Sequence, residues 1–282
     1  MDLSALAAKV DPGLVDINTR LSHQNGSVAG TGIVLSASGE VLTNNHVISG
    51  GISIDVTDVG NGQTYPATVV GFDRSHDVAV LQLQNASGLQ TASIGDSSSV
   101  AVGDAIAAIG NAGGRGGTPS IVAGTVSGLG HAITVSDDIA GSAEHLVGMI
   151  QVTADLQPGD SGGPLVNAAG QVVGIDTAAA TGSHSSDAEG FAIPINDAIA
   201  ITKQIEDGTA SPSVHIGPTG TLDIVAQTRG CGRFPHGGDH PAGQPSPRRP
   251  GAAGVAGSVG SAAPCHGAAG GRPANLTTRT GL

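Results

Sequence analysis

The sequence predicts an all-β fold built from two units of similar size. From Val28 onward, short runs of β-forming residues alternate with Gly, Asn, Asp and Ser, which is the pattern of strands joined by turns. The chain has 46 Gly, whereas aromatic residues make up only 1% of it, so Val, Ile, Leu and Ala must fill the core. The strand-like runs fall into two groups, at about 28–90 and 100–195, which predicts two small barrels or sandwiches.

The predicted strands lie close together in both units. Those of the first unit cover residues 30–35, 41–42, 52–56, 64–70 and 78–83. Those of the second unit cover residues 105–109, 121–126, 132–135, 146–152, 164–166, 171–175 and 190–193. Residues 1–27 combine a short apolar patch with Asp-Pro-Gly and a polar stretch, so we expect a lead-in helix followed by a loop.

One helix is predicted after the second unit, over residues 196–207. Asn196 is a favourable N-cap, isoleucines spaced along the segment form an apolar side, and Gly208 ends the helical pattern. We expect this short helix to pack on the second β unit and to complete a domain over residues 28–210.

Residues 211–282 are predicted to be a linker and a low-complexity tail. Beyond residue 219 the charged residues are mostly Arg, and runs of Ala, Gly and Pro replace the strand pattern, so we expect disorder. The cysteines, Cys231 and Cys265, both lie in this tail. No disulfide is therefore expected within the β units.

Charge and hydropathy exclude two classes of partner. The formal net charge of −12 argues against nucleic acid, because phosphate binding requires clustered Lys and Arg, and the chain has only 11 of these residues. No apolar run approaches the roughly 20 residues that cross a bilayer, so no membrane segment is expected. The first residues also lack the basic start and apolar stretch of a signal peptide.

The strongest functional signal is Gly-Asp-Ser-Gly-Gly-Pro-Leu at residues 159–165. Glycines on both sides of Ser161 permit a tight turn and the close approach of a substrate. Such a turn can direct the backbone N–H groups of Gly159, Asp160 and Ser161 at one point, where a carbonyl oxygen would become an oxyanion. Because a serine alone is a weak nucleophile, the motif predicts a histidine base and a carboxylate elsewhere.

His46 and Asp77 are the best candidates for those two partners. His46 lies where a strand-like run enters a polar turn, so its ring can face a cleft. Asp77 directly precedes the most apolar strand of the first unit, where it can be shielded from water and orient an imidazole. Strand alternation turns His76 away from that cleft, which predicts a surface residue. The glycine-rich residues 110–117 lack the Gly-Lys-Ser/Thr ending of a phosphate loop and are predicted to form a surface loop.

The order His46, Asp77, Ser161 within two β units resembles the chymotrypsin clan of serine proteases. More narrowly, four segments resemble the HtrA (DegP-like) family, particularly its secreted actinobacterial, mycobacterial PepA-type branch. They are Thr-Asn-Asn-His-Val-Ile at 43–48, His-Asp-Val-Ala-Val-Leu at 76–81, Ala-Ile-Gly-Asn at 108–111 and Gly-Phe-Ala-Ile-Pro-Ile at 190–195. The resemblance covers roughly residues 28–207.

This resemblance implies a chymotrypsin-like fold of two six-stranded β-barrels and a serine endopeptidase. Ser161 would be the nucleophile, His46 the general base and acid, and Asp77 the orienting carboxylate. The amides of Gly159 and Ser161 would form the oxyanion hole, assisted by the amide of Asp160. No cofactor and no metal are needed for such acyl transfer.

The residue preference before the scissile bond is left open by the sequence. The expected pocket residues are Asp155, Pro158, Asp176, Thr177, Ala178 and Ala179. Asp155 lies six residues before Ser161, where trypsin-like enzymes carry the acid that selects Arg or Lys. The small residues 178–179 favour an aliphatic preference instead, with Asp155 turned to solvent.

The family resemblance also carries expectations about the whole protein. HtrA proteins normally continue into a PDZ domain, and residues 220–282 show neither its strand pattern nor its carboxylate-binding loop, so we expect it to be missing or replaced. Unfolded or exposed polypeptides are the expected substrates, in envelope quality control, for a secreted, cell-envelope or periplasmic protein. A homotrimer is expected from the resemblance alone. The alternative function is a non-catalytic, chaperone-like protein that binds polypeptides on a protease fold.

Overall fold

A computed structural model describes residues 1–21, 26–137, 142–177 and 189–218. The described residues form one compact unit. The predicted pocket residues 178–179 and the tail beyond residue 218 lie outside the described residues.

Strands dominate the described part of the chain. The first group is β1 (Leu14–Leu21), β2 (Ser27–Val34), β3 (Glu40–Thr43), β4 (Gly51–Asp58), β5 (Thr64–Asp73) and β6 (Val78–Leu83). The second group is β7 (Ala105–Gly110), β8 (Ser120–Asp137), β9 (Ser142–Val152), β10 (Pro164–Asn167), β11 (Val172–Thr177) and β12 (Gly190–Pro194), and the short β13 (Val214–Ile216) follows. The helices are α1 (Leu3–Val10), α2 (Asn45–Ile48) and α3 (Ile195–Glu206).

The first barrel is a ring of antiparallel pairs in the order β5-β4-β1-β2-β3-β6, which closes because β6 also pairs with β5. Strand β13 pairs with the end of β5, from Gly71 to Asp73, and extends the ring. Strand β1 lies between β2 and β4. The loop that we expected before residue 28 is therefore wrong for residues 14–21, which form a central strand.

The second barrel closes in the order β10-β11-β12-β9-β8-β7, since β7 pairs with β10. The strands predicted at 121–126 and 132–135 are two parts of one long strand, β8, which pairs with β9 through several irregularities of register. The prediction of an all-β fold with two six-stranded barrels is confirmed.

Apolar side chains fill each barrel and the space beneath α3. The first barrel encloses a cluster that includes Val15, Ile17 and Leu81. The second encloses one that includes Ile106 and Leu165. Across these clusters aliphatic residues predominate, as the low aromatic content predicted.

Helix α3 packs against β11 and β12, as predicted, and also against β5, β6 and β13 of the first barrel. Its start differs from the prediction. Pro194 occupies the N-cap position and provides no side-chain hydrogen bond. Asn196, the predicted N-cap, instead binds the segment between the barrels: its amide donates to Asp96 at 2.7 Å and its oxygen accepts from the N–H of Ser97 at 3.2 Å. Within the described residues, no helix is both long and apolar enough to cross a membrane.

Candidate active site

His46 and Asp77 lie together because the strands that carry them are neighbours. His46 belongs to α2, directly after β3, and Asp77 ends the turn before β6, which pairs with β3. Nδ1 of His46 lies 2.8 Å from Oδ2 of Asp77, and the backbone N–H of His46 donates to Oδ1 of Asp77 at 2.9 Å. The carboxylate is 1% exposed and the imidazole 22% exposed. A buried carboxylate thus orients a ring that still reaches the surface.

The backbone of Asp77 is held in an unusual conformation. Its φ is +53°, a region that side chains other than glycine rarely adopt. Its carbonyl oxygen accepts hydrogen bonds from the Asn44 side chain at 2.9 Å and from the Asn45 N–H at 3.2 Å. The two asparagines that precede His46 therefore stabilise the turn that presents its partner.

Ser161 lies in the turn between β9 and β10 and faces the first barrel. Its carbonyl oxygen accepts the N–H of Thr31, on β2, at 2.8 Å. A Cβ placed on Gly30 would lie 2.7 Å from Cγ1 of Val47 and 3.2 Å from that same carbonyl oxygen. Residue 161 therefore sits close to α2, the helix that carries His46.

Two glycines of the turn are required by its packing. Gly159 has a φ of +103°, and a Cβ there would lie 2.1 Å from the carbonyl oxygen of Asn111. Gly162 has a φ of +85°, and its Cβ would lie 2.1 Å from the carbonyl oxygen of Thr31. The turn can approach both barrels only because these positions lack side chains.

Hydrogen bonds to the carbonyls of the turn determine where its amides point. Gly113 donates to the carbonyl of Pro158 at 2.7 Å, and Gly163 donates to that of Asp160 at 2.9 Å. In a trans peptide the C=O and the following N–H point in opposite directions. The N–H groups of Gly159 and Ser161 are therefore directed away from these bonds, as oxyanion donors require.

The amide of Asp160 does not belong to this predicted oxyanion hole. Its N–H donates to the carbonyl of Gln157 at 3.0 Å, so it is already used within the turn. The preceding carbonyl, that of Gly159, accepts the hydroxyl of Thr31 at 2.8 Å. The expectation of three donors is corrected to two candidates, Gly159 and Ser161.

The glycine-rich loop 110–117 supports the turn that contains Gly159 and Ser161 through hydrogen bonds. Besides the bond from Gly113, the side-chain oxygen of Asn111 accepts the N–H of Gly116 at 2.8 Å, and Gly117 donates to Asp16 on β1 at 3.0 Å. The sequence predicted a surface loop and missed this role, and it also missed Thr31. No local pattern indicated this role, since Gly113, Gly117 and Thr31 each bind a residue that is distant in the sequence.

The expected pocket residues have different surroundings. Asp155 and Pro158 are exposed, as the aliphatic interpretation expects for Asp155. Asp176 and Thr177 are buried at the end of β11. The remaining two, 178–179, lie outside the described residues.

Burial raises the pKa of two carboxyl groups beside Ser161. For Asp160, burial outweighs the hydrogen bonds that it accepts from the N–H of Gln157 and, weakly at 3.4 Å, from the hydroxyl of Ser120. For Asp176, complete burial raises the pKa well above its usual value, and the negative charge of Asp160 adds to that effect. In the described part of the chain, no group of three or more His, Cys, Asp or Glu side chains could hold a metal ion.

A second histidine–aspartate pair lies next to the first. Nδ1 of His76 is 2.8 Å from Oδ2 of Asp73, and the imidazole is 48% exposed. His76 thus lies at the surface, as predicted, but its partner was not anticipated. Ser75 donates its hydroxyl to Oδ1 of Asp73 at 2.7 Å, which completes a local network at the end of β5.

The trypsin-like peptidase domain family matches residues 30–175. The chain belongs to this family of trypsin-like peptidases. Within it, the chain is of the HtrA type: it is 41% identical to the serine protease PepD of Mycobacterium tuberculosis and 35% identical to a probable periplasmic DegP-like serine endoprotease of Buchnera aphidicola. A solved structure of the HtrA-type protease AlgW with a tripeptide matches with a TM-score of 0.64 and 30% identity. The predicted family resemblance is therefore confirmed.

These matches cover most of this chain but a smaller share of the relatives. The alignment with PepD spans 73% of this chain and 47% of PepD, and that with the Buchnera protein spans 67% of this chain and 37% of its relative. The AlgW match spans 82% of this chain and 70% of AlgW. The chain thus spans about half the length of PepD and a smaller share of the Buchnera relative.

Proposed function

We propose that this chain is a serine endopeptidase that hydrolyses peptide bonds of unfolded or exposed polypeptides through an acyl-enzyme. The observation that supports this most strongly is the short contact between His46 and the buried Asp77, at the end of the barrel that faces the Ser161 turn. Family membership supports the same reaction.

In this mechanism Asp77 holds His46 in the tautomer with the proton on Nδ1, so that Nε2 accepts the proton of Ser161. The Ser161 oxygen attacks the substrate carbonyl, and the N–H groups of Gly159 and Ser161 stabilise the oxyanion. His46 then gives the proton to the leaving amine, and water releases the acyl group by the same steps. All of these groups are supplied by the chain itself.

Labelling with a fluorophosphonate probe tests the proposal. The wild-type protein should be labelled and should cleave an unfolded casein substrate, whereas Ser161→Ala should do neither. Ser98→Ala, which alters an exposed serine outside the Ser161 turn, is a matched control and should label as the wild type does. A folded wild-type protein that is unlabelled but binds casein would support the chaperone-like alternative.

We also propose that the pocket prefers an aliphatic residue before the scissile bond. The exposed position of Asp155 supports this, because an acid that selects Arg or Lys must face the pocket. A panel of peptides that differ only at that residue should be cleaved faster after Val than after Arg. Faster cleavage after Arg would contradict the proposal.

Location and assembly are proposed from the relatives. The Buchnera relative is described as periplasmic, which supports a cell-envelope or secreted location for this chain. A homotrimer is proposed from the family alone, and sedimentation equilibrium should give a mass three times that of one chain. A monomeric mass at all concentrations would contradict it.

A further inference from the structure

A buried carboxyl that the proposed reaction does not use lies next to the Ser161 turn. Asp176 is 0% exposed on β11, and neither of its carboxyl oxygens has a hydrogen-bond partner among the described residues. Its backbone is bonded to the turn in both directions. The carbonyl of Asp176 accepts the N–H of Gly162 at 2.9 Å, and its N–H donates to the carbonyl of Gly163 at 2.8 Å. Any displacement of Asp176 is therefore transmitted to the residues that follow Ser161.

The side chain of Asp176 faces the interior of the second barrel. It lies opposite Ala192 on β12, which in turn lies opposite Ile150 on β9. Directly opposed residues share one face of a sheet, and both of these belong to the apolar cluster inside the barrel. An ionised carboxyl in this position would lack both water and a donor, which is strongly unfavourable.

The charged groups that act on Asp176 are acidic. Asp160 is buried in the adjacent turn, and its negative charge adds to the effect of burial in raising the pKa of Asp176. The charge of Asp155 likewise adds to the effect of burial on the pKa of Asp160. Strands β10 and β12, which flank β11, contain no charged residue. Helix α3 packs on the opposite face of β11, through the apolar cluster that contains Ile175, so its charged side chains face away. No neighbouring cation therefore compensates a charge on Asp176 within the described residues.

We propose that Asp176 is a positioning residue that supports the oxyanion turn in its neutral form, and that its ionisation sets an alkaline limit to activity. The neutral acid can stay in the apolar interior while β11 keeps both bonds to the turn. Loss of the proton places a second negative charge beside Asp160, and β11 must shift to admit water. That shift displaces Gly162 and Gly163, and with them the nucleophile. The activity part of this inference rests on the proposed peptidase function.

The inference also makes a statement about stability that is independent of catalysis. Burial, assisted by the charge of Asp160, raises the pKa of Asp176 in the folded state. Because the folded pKa is raised, the protonated carboxyl contributes to the free energy of unfolding in full below the unfolded pKa of about 3.9. That contribution is lost as the pH rises through the folded pKa. Replacement of Asp176 by a neutral isostere should therefore stabilise the protein at neutral pH and have little effect in acid.

The experiment compares the wild type, Asp176→Asn and the control Asp197→Asn, which changes an exposed acid of α3. At pH values above the pKa of Asp176, the kcat/KM of the wild type and of the control should fall about tenfold per pH unit, as for one titrating group. Fluorophosphonate labelling should fall in parallel, and Asp176→Asn should lack this limb. The Tm of Asp176→Asn should exceed that of the wild type by roughly 3–8 °C near pH 7.5 and by almost nothing near pH 4.

The same alkaline limb in all three proteins would overturn the inference, as would a gain in Tm that does not depend on pH. If Asp176→Asn does not fold, carboxyl ¹³C NMR of the wild type provides a second test. One aspartate should stay protonated at pH values at which the exposed aspartates have ionised, and the absence of such a signal would contradict the proposal. A wild-type protein that is unlabelled at every pH would refute the proposed peptidase function, whereas the Tm and NMR measurements would still decide the state of Asp176.

Discussion

The turn between β5 and β6 contributes to two histidine–aspartate pairs, and the geometry of the two pairs is almost the same. In both pairs, His46 with Asp77 and His76 with Asp73, Nδ1 lies 2.8 Å from Oδ2 of a carboxylate that is 1% exposed. The imidazoles differ in exposure, at 22% for His46 and 48% for His76. A short hydrogen bond to a buried carboxylate is thus common to both.

The pairs differ in what they connect. Asp73 and His76 are three residues apart, and Asp73 also accepts the N–H and hydroxyl of Ser75, so this pair closes a local turn. His46 and Asp77 are 31 residues apart, and they join the ends of β3 and β6 where the barrel meets the Ser161 turn. A carboxylate at Nδ1 orients the ring in both cases, but only His46 belongs to α2, the helix that lies close to Ser161.

The largest effect should come from Asp77→Asn. The Asn amide would donate to Nδ1 of His46 and hold the ring in the wrong tautomer, with the proton on Nε2. We expect a fall in kcat of about 10³- to 10⁴-fold at neutral pH. Single-turnover acylation of a peptide ester measures this directly, and the thermal unfolding of the variant shows that it is folded. A loss of less than tenfold would mean that the pair does not act in catalysis.

The same substitution in the other pair, Asp73→Asn, should change stability and leave catalysis within about threefold. Burial tends to raise the pKa of Asp73, but hydrogen bonds from Ser75 and His76 outweigh it and lower that pKa. A lowered folded pKa gives stability that is present above the unfolded pKa and is lost as the pH falls through the folded value. The variant should therefore lose about 1 kcal/mol at pH 7 and nearly nothing in strong acid.

Urea unfolding at several pH values measures this second prediction. Ser87→Ala, which changes an exposed serine, is the control and should unfold as the wild type does at each pH. A stability loss for Asp73→Asn that is constant from pH 7 down to the acid range would contradict the assigned role of its charge.

The sequence predicted the pairing of His46 with Asp77 but not that of His76 with Asp73, for a physical reason. The flanks of His46 and Asp77 match a family pattern, so their meeting could be inferred without coordinates. The pairing of His76 with Asp73 depends on the shape of one turn, in which Ser75 and His76 both fold back on the carboxylate. Strand alternation gave the exposure of His76 correctly but could not show this contact.

Backbone hydrogen bonds that local sequence patterns do not reveal account for the other differences. The alternation Val15, Ile17, Thr19 is a strand signal that the neighbouring Asp-Pro-Gly obscured, and β1 is recognised by its pairing with both β2 and β4. The amide of Asp160 could not be excluded from the oxyanion hole by sequence, because its direction is determined by Gln157 within the folded turn. The fold was thus largely predictable from local patterns, whereas the orientation of individual peptides was not.

The smallest effect should come from His76→Gln, which removes the imidazole and keeps Asp73 with its hydrogen bonds from Ser75. Because His76 is 48% exposed, solvent screens its contact with the carboxylate, and we expect a loss of no more than about 0.5 kcal/mol. The kcat/KM should match that of the wild type at each pH, since His76 is paired with Asp73 at the surface. If the pH–rate profiles of the wild type and of His76→Gln coincide, the pair formed by His76 and Asp73 has no effect on catalysis. A shifted profile would instead show that the turn transmits the charge of His76 to Asp77, and the two pairs would have to be treated as one coupled unit.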